Sequence, residues 1–179
     1  LVTVDRARLW TLPETPPRLL GGAVSVETAR WAGGWADGLI TINQPVPTLR
    51  EIVSAYRDAG GRGRLHLQVH LCWDPDPDRA KAIAYEQWRT VLFPSEVLAE
   101  LRMPAAFEAA AAFVRPEDVL DAVHVSADIE QHEEWLRAYA EIGVDRLYLH
   151  NVHTDQERFI DDFGARVLPK ATRTPLGKG

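Results

Sequence analysis

Two patterns alternate along the chain: short apolar runs bounded by polar or turn residues, one of them strictly alternating, and longer runs in which apolar residues recur every three to four positions. Runs of the first kind predict strands at Arg18–Ala23, Asp37–Asn43, Leu65–Trp73 and Val144–Val152. In the third, LHLQVHLCW, strict alternation places Leu65, Leu67, Val69 and Leu71 on one side and His66, Gln68, His70 and Cys72 on the other. The second kind predicts helices between them. Ser25 caps a helix from Val26 to Gly34, and a Thr48-Leu49-Arg50-Glu51 capping box opens one that puts Leu49, Ile52, Val53 and Tyr56 on one face and stops at Gly60-Gly61. Asp76-Pro77 opens a third, with Ala80, Ile83, Ala84, Trp88, Val91 and Leu92 on its apolar stripe, until Pro94. Asp128 caps a helix through Ile142, and a second capping box, Thr154-Asp155-Gln156-Glu157, opens a helix with Phe159, Ile160, Phe163 and Val167 inward before Pro169.

Strands and amphipathic helices in alternation predict an α/β fold of four (β/α) units with a parallel sheet, whose chemistry sits at the C-terminal strand ends. The whole chain, 1–179, reads as one domain. Residues 1–17 alternate loosely as an edge hairpin or lead-in, 95–125 break into short helices as an insertion before the last strand, and 170–179 read as a flexible tail. The chain opens at Leu1, without methionine and within an alternating run, as though cut from something larger.

Composition narrows the function classes. A net charge of -6 with scattered basic residues argues against nucleic acid and anionic membranes, and no apolar run is long enough to span a bilayer. One cysteine, Cys72, forms no internal disulfide, and with no signal peptide the expected location is cytoplasmic.

The candidate chemistry gathers at strand ends. Gly21-Gly22-Ala23 feed a helix start at Ser25, and the hydroxyls of Ser25 and Thr28 lie one turn apart; the turn either binds an anion such as phosphate or simply bends and caps. Gln68, His70 and Cys72 share a strand face, and Asn43 and Asn151 end other strands, so His70 either lines a polar pocket or is a satisfied core residue. Because side chains alternate, His150 or Asn151 is expected to face that pocket, not both. The six histidines have no carboxylate cluster at ligand spacing, so no metal site is expected, and Cys72 lacks the setting that would activate a thiol. Asp74, Asp76 and Asp78 read as a solvated turn and cap, and Trp31, Trp35, Trp88 and Trp135 as core.

The runs PPRLLGGAVSVETARWAGGWADGLITIN, LHLQVHLCW, AYEQWRTVLF, SADIEQHEEWLRAYAEIGVDRLYLHNV and QERFIDDFGARVLP together resemble the luciferase-like monooxygenase superfamily, across Val2 to Pro169. The resemblance implies the C-terminal half, strands five to eight, of a (β/α)8 TIM barrel. It implies that Gly22, Ala23, Val24 and Ser25, with Thr28, hold the phosphate of the cofactor, F420 or FMN, and that this half supplies part of the pocket wall, for which His70, Gln68, Asn43 and Asn151 are the candidates read from the strand ends. Most catalytic groups would then lie in the N-terminal half barrel. Relatives acting on sugar phosphates carry a lysine after strand six, where this chain has Asn43, Gln44 and Pro45.

The implied activity is hydride transfer between the reduced cofactor and a small organic substrate. Two other functions stay open: an inactive half-barrel assembly or flavin-binding module, and a barrel lyase or isomerase acting on a phosphorylated metabolite. A half barrel leaves two open edges and an uncovered inner face, so the expected partner is the N-terminal half or a second copy in a homodimer.

Overall fold

The structure, a computed structural model, describes residues 3–8 and 10–171. Strands β1 (Leu20–Gly22), β2 (Gly38–Ile42), β3 (Arg64–Trp73), β4 (His124–Ser126) and β5 (Arg146–Asn151) form one sheet, with every pair parallel. Between β1 and β3 run α1 (Val26–Gly33) and α2 (Val46–Asp58). After β3 come α3 (Pro77–Trp88), a 3-10 turn (Arg89–Val91) and the short helices α4 (Ser95–Glu100), α5 (Pro104–Ala111) and α6 (Pro116–Val119). Helix α7 (Ile129–Ala140) joins β4 to β5, and α8 (Gln156–Arg166) and α9 (Leu168–Ala171) follow.

Strand β3 is the axis of the sheet. β2 lies along its lower half, to Ile42 opposite Gln68, and β5 runs from Arg146 opposite His66 to Asn151 opposite Leu71. Leu71 also faces His124 of β4, so β4 takes up the edge that β2 has left. Asn43 makes the joint: its backbone N–H donates to Gln68 O at 2.9 Å, its Oδ1 accepts from His70 N at 2.9 Å, and its Nδ2 donates to Ala122 O at 3.1 Å. Two aspartates start strands alike. Asp37 Oδ2 accepts the Leu19 N–H, and Asp145 Oδ2 the Leu65 N–H, satisfying a donor at the start of the neighbouring strand.

The two faces of β3 pack differently. Leu67, Val69, Leu71 and Trp73 bury against α7 and α8 residues such as Leu136, Phe159 and Phe163, and Leu65 packs with Ile52 and Tyr56 of α2. Complete burial of Leu67 and Val69 contributes roughly 1.5–3 kcal/mol each. Cys72, on the opposite face, clusters with Ala84, Val119, Val123 and Val152. Helix α3 and the segment after it therefore cover the other side of the sheet at its C-terminal end.

Most element bounds follow the sequence pattern, with four corrections. The chain from Ser95 to Val125 is not wholly helical, because His124–Ser126 forms β4 and the sheet has five strands. No strand forms in Thr3–Arg8 or Trp10–Pro17, where no pairing partner is present among the described residues; Leu1, Val2 and Leu9 lie outside them. Helix α2 starts at Val46 without a side-chain cap, since Pro45 and Pro47 already hold helical φ angles, and α8 is capped by Asp155, which accepts from Arg158 N, one residue past Thr154. Trp31 is 66% exposed, Trp35 is exposed and Ile160 is 63% exposed, because alanines of α1 and the two phenylalanines of α8 already fill the contact faces. The expected tail lies outside the described residues beyond Ala171.

Beneath α7, His124 stacks on Trp135 with centroids 4.4 Å apart, and its Nε2 lies 2.6 Å from Tyr139 Oη. His132 is buried with Nε2 3.2 Å from Ser126 O and its ring edge-on to Trp135 and Phe163. Burial pushes both imidazoles down to about 4 and the Tyr139 phenol up to about 12.

Two outcomes follow for stability. A Cβ at Gly21 would meet Ala32 Cβ at 2.7 Å and Ala36 Cβ at 3.2 Å, whereas one at Gly22 meets nothing within 4 Å. Gly21→Ala is expected to cost about 1–3 kcal/mol in urea unfolding and Gly22→Ala less than about 0.5 kcal/mol. For His124 and His132, the folded pKa of about 4 lies below the unfolded value near 6.5, so the unfolded chain binds more protons between them. Stability is full above about pH 6.5 and falls as the pH drops toward 4. Urea midpoints measured across that window check this, and His132→Gln is expected to flatten the slope.

Candidate functional site

Three features run along the sheet toward its C-terminal end. The first is the turn from β1 into α1. Gly21 lets Ala32 and Ala36 approach the strand, and Gly22 faces open space. Ser25 is the N-cap: its Oγ accepts from Thr28 N at 3.2 Å and donates to Thr28 Oγ1 at 3.0 Å. Both hydrogen bonds are solvent-exposed, and the first amides of α1, at Val26 and Glu27, have no acceptor within the helix. Gln44 Nε2 reaches across from the β2–α2 loop to Val24 O at 3.3 Å, fixing the turn to the next strand. The turn thus both caps the helix and leaves its positive end accessible.

The second feature is the polar face of β3 and β5. Register pairs His66 with Arg146, Gln68 with Tyr148 and His70 with His150. Gln68 Nε2 lies 3.1 Å from His70 Nε2 and 3.3 Å from His150 Nδ1, while His66 Nδ1 lies 3.0 Å from Tyr148 Oη. Burial first, and the neighbouring His150 second, pushes His70 down to about 4, so the ring is neutral. His70, His150 and Trp88 form a cluster of three rings with centroids 4.7–5.3 Å apart. Tyr148 is 41% exposed and His150 is exposed, so this wall is open.

The third is a recess of about 290 Å³ at the end of β5, lined by Trp88, Gln87, His150, Asn151, Thr154 and Gln156 among others. His150 and Asn151 both line it, contrary to alternation, because β5 ends at Asn151 and the chain turns there. Asn151 Oδ1 accepts from His153 N at 3.3 Å, and its buried Nδ2 has no partner. Asn43, the fourth of the pocket candidates, uses both ends of its amide in the β2–β3 joint.

Asp74 and His153 carry a signal the alternation does not show. Asp74 is 3% exposed rather than solvated; its Oδ2 lies 3.1 Å from His153 Nε2 and 3.4 Å from Arg79 Nε, and its Oδ1 accepts from Asp76 N. His153 Nδ1 accepts from Asp155 N at 2.8 Å, so Nε2 bears the proton given to Asp74. This clasp ties the loop after β3 to the loop after β5. The Asp-Pro-Asp-Pro and His-Thr-Asp segments that form it are far apart in sequence, and nothing local couples them. Cys72 is inert: burial and Asp74 push its thiol up to about 12, and it donates to Ala80 O. No group of three metal-ligating side chains occurs among the described residues, and no helix among them is long and apolar enough to cross a membrane.

Comparison with known proteins gives this geometry a context. An F420-dependent glucose-6-phosphate dehydrogenase of Nakamurella multipartita is 29% identical over 183 residues, covering 98% of this chain and 54% of that protein. The enzyme of the same description from Beutenbergia cavernae is 26% identical, over 92% of this chain and 51% of its own length. The chain spans about half the length of the curated relatives it matches. Among solved structures, an F420-dependent secondary alcohol dehydrogenase in complex with an F420-acetone adduct superposes with a TM-score of 0.76 at 23% identity, over 92% of this chain and 52% of that one. The F420-dependent tetrahydromethanopterin reductase of Methanopyrus kandleri superposes with a TM-score of 0.60 at 19% identity, over 86% and 50%. The parallel α/β sheet thus matches about half of the TIM barrel of such enzymes. The luciferase-like monooxygenase family model matches residues 1–146, and the chain belongs to that family.

Proposed function

We propose that this chain is the cofactor-phosphate and pocket-wall portion of an F420-dependent oxidoreductase acting on a small organic substrate. The observation that carries the reading is the open start of α1: Gly22 leaves room for close backbone approach, Ser25 and Thr28 offer hydroxyls, and the free amides of Val26 and Glu27 complete an anion cradle. Gly22, Ala23, Val24, Ser25 and Thr28 would hold the cofactor's phosphate. The cofactor, when bound, supplies hydride transfer. The protein's share is to hold the phosphate and to offer a wall of neutral polar groups, Gln68, His70, His150 and Asn151, to the substrate. F420 is favoured over FMN by the names of the relatives.

The open inner face supports a further element of the proposal. Tyr148, Ile42 and Leu20 are exposed there or at the sheet margin, so a complementary half barrel or a second copy would cover them.

Fluorescence titration of F420 against the full-length gene product tests the cofactor. Ser25→Gly combined with Thr28→Val is expected to weaken F420 binding roughly tenfold or more, since hydrogen bonds to a charged group contribute about 1.5–3 kcal/mol each. Glycine still supports an N-cap, so unfolding midpoints should hardly move. Tighter binding of FMN than F420, or no binding of either, sinks the assignment. Light scattering is expected to show association beyond a monomer whenever this chain is present without a covering half.

A further inference from the structure

Gln68 stands between two imidazoles. Its Nε2 lies 3.1 Å from His70 Nε2 and 3.3 Å from His150 Nδ1. An amide nitrogen donates and cannot accept, and it has two hydrogens, one for each ring. Both contacted ring nitrogens must then be bare, so His70 carries its proton on Nδ1 and His150 on Nε2. Without that bridge the exposed His150 would be free to exchange tautomers.

His150 Nε2 has no hydrogen-bond partner among the described residues, and His150 lines the recess with Trp88. None of the eight residues lining that recess is an Asp, Glu, Lys or Arg. Arg79, beside the Asp74–His153 pair, is engaged with Asp74. A ligand there meets an aromatic face, neutral amides and the N–H of one imidazole, and none of the lining side chains carries a fixed positive charge to offset an anion.

We propose that Gln68 is a positioning residue that locks His150 as the Nε2–H tautomer, and that this N–H is the donor for the oxygen of an uncharged carbonyl or hydroxyl compound held beside Trp88. The ligand class deepens the oxidoreductase reading and rests on it; the tautomer lock does not.

Long-range proton–nitrogen correlation spectra of the full-length gene product, selectively labelled at histidine, test the lock. The expected result is bare Nδ1 and protonated Nε2 at His150, with the reverse at His70. In Gln68→Glu a carboxylate accepts where the amide donated, so His150 is expected to shift its proton to Nδ1. If that variant does not fold, Gln68→Met removes the donor and is expected to leave a mixture of tautomers. His150 found with Nδ1–H in the wild type, or tautomers indifferent to residue 68, overturns the lock. For the ligand class, cyclohexanone and inorganic phosphate are titrated as probes. A shift of the His150 Nε2–H signal with cyclohexanone and not with phosphate supports the class; a shift with phosphate alone, or with neither, overturns it. Failure of F420 to bind, with the histidine spectra as expected, removes the oxidoreductase reading and the assignment to its substrate, and leaves the lock standing.

Discussion

The period-two alternation of β3 is the constraint on which the rest depends. A strand covered by helices on one side must offer that side apolar residues, and Leu65, Leu67, Val69, Leu71 and Trp73 do so. The intervening residues are then forced onto the other side, where His66, Gln68, His70 and Cys72 stand. Shifting the register by one residue would bury the imidazoles under α7 and α8 and expose the leucines, so the core that stabilises the sheet also orients its polar wall. β5 repeats the device, with Leu147 and Leu149 packed inward and Tyr148 and His150 facing the wall.

Where β2 stops, β3 would be left with an open edge at the level of the candidate site. Asn43 solves this locally by accepting the His70 N–H with its side chain, and β4 takes over from Leu71 onward. The same amide holds Ala122, so the arrival of β4 and the backbone position of His70 are coupled through one residue. The Asp74–His153 pair does a comparable job on the other edge, tying the β3 and β5 exits together. The mouth of the sheet is thus held by side chains at two joints where ladder hydrogen bonds run out.

The local signals in the sequence carried most of the architecture. The strands at Gly38–Ile42, Arg64–Trp73 and Arg146–Asn151 and the caps at Ser25, Asp76 and Asp128 follow from alternation and capping chemistry alone. What escaped was decided by non-local partners. His124–Ser126 is only three residues long and becomes a strand because β3 has a free edge at Leu71, a fact no window around His124 contains. Trp31 and Trp35 are four residues apart, yet α1 packs through Ala29, Ala32 and Gly33, with Ala32 close against Gly21 of β1 and Gly33 close against Tyr56 of α2, which leaves no room for an indole on that face. Asp74 looks solvated beside two prolines and is buried because His153, from a distant loop, accepts it as partner.

The two halves of the candidate site lie on opposite margins of the sheet, and that separation carries a consequence. From β1 across β2 and β3 to β5 are three strand spacings, at most about 14 Å. On the proposed reading, a cofactor whose phosphate rests at Ser25 reaches the His70–His150 wall only if it lies extended across the mouth, above Ile42 and Asn43. A compact phosphorylated metabolite gripped at the same cradle would end well short of His150. On that reading the spacing suits one long ligand anchored at β1 and a second, smaller one at β5, the arrangement that the proposed two-substrate transfer requires. On the same reading the polar wall can remain uncharged, because the anionic end of the ligand would be accommodated by the helix terminus on the far side and the imidazoles would need only to orient a neutral oxygen.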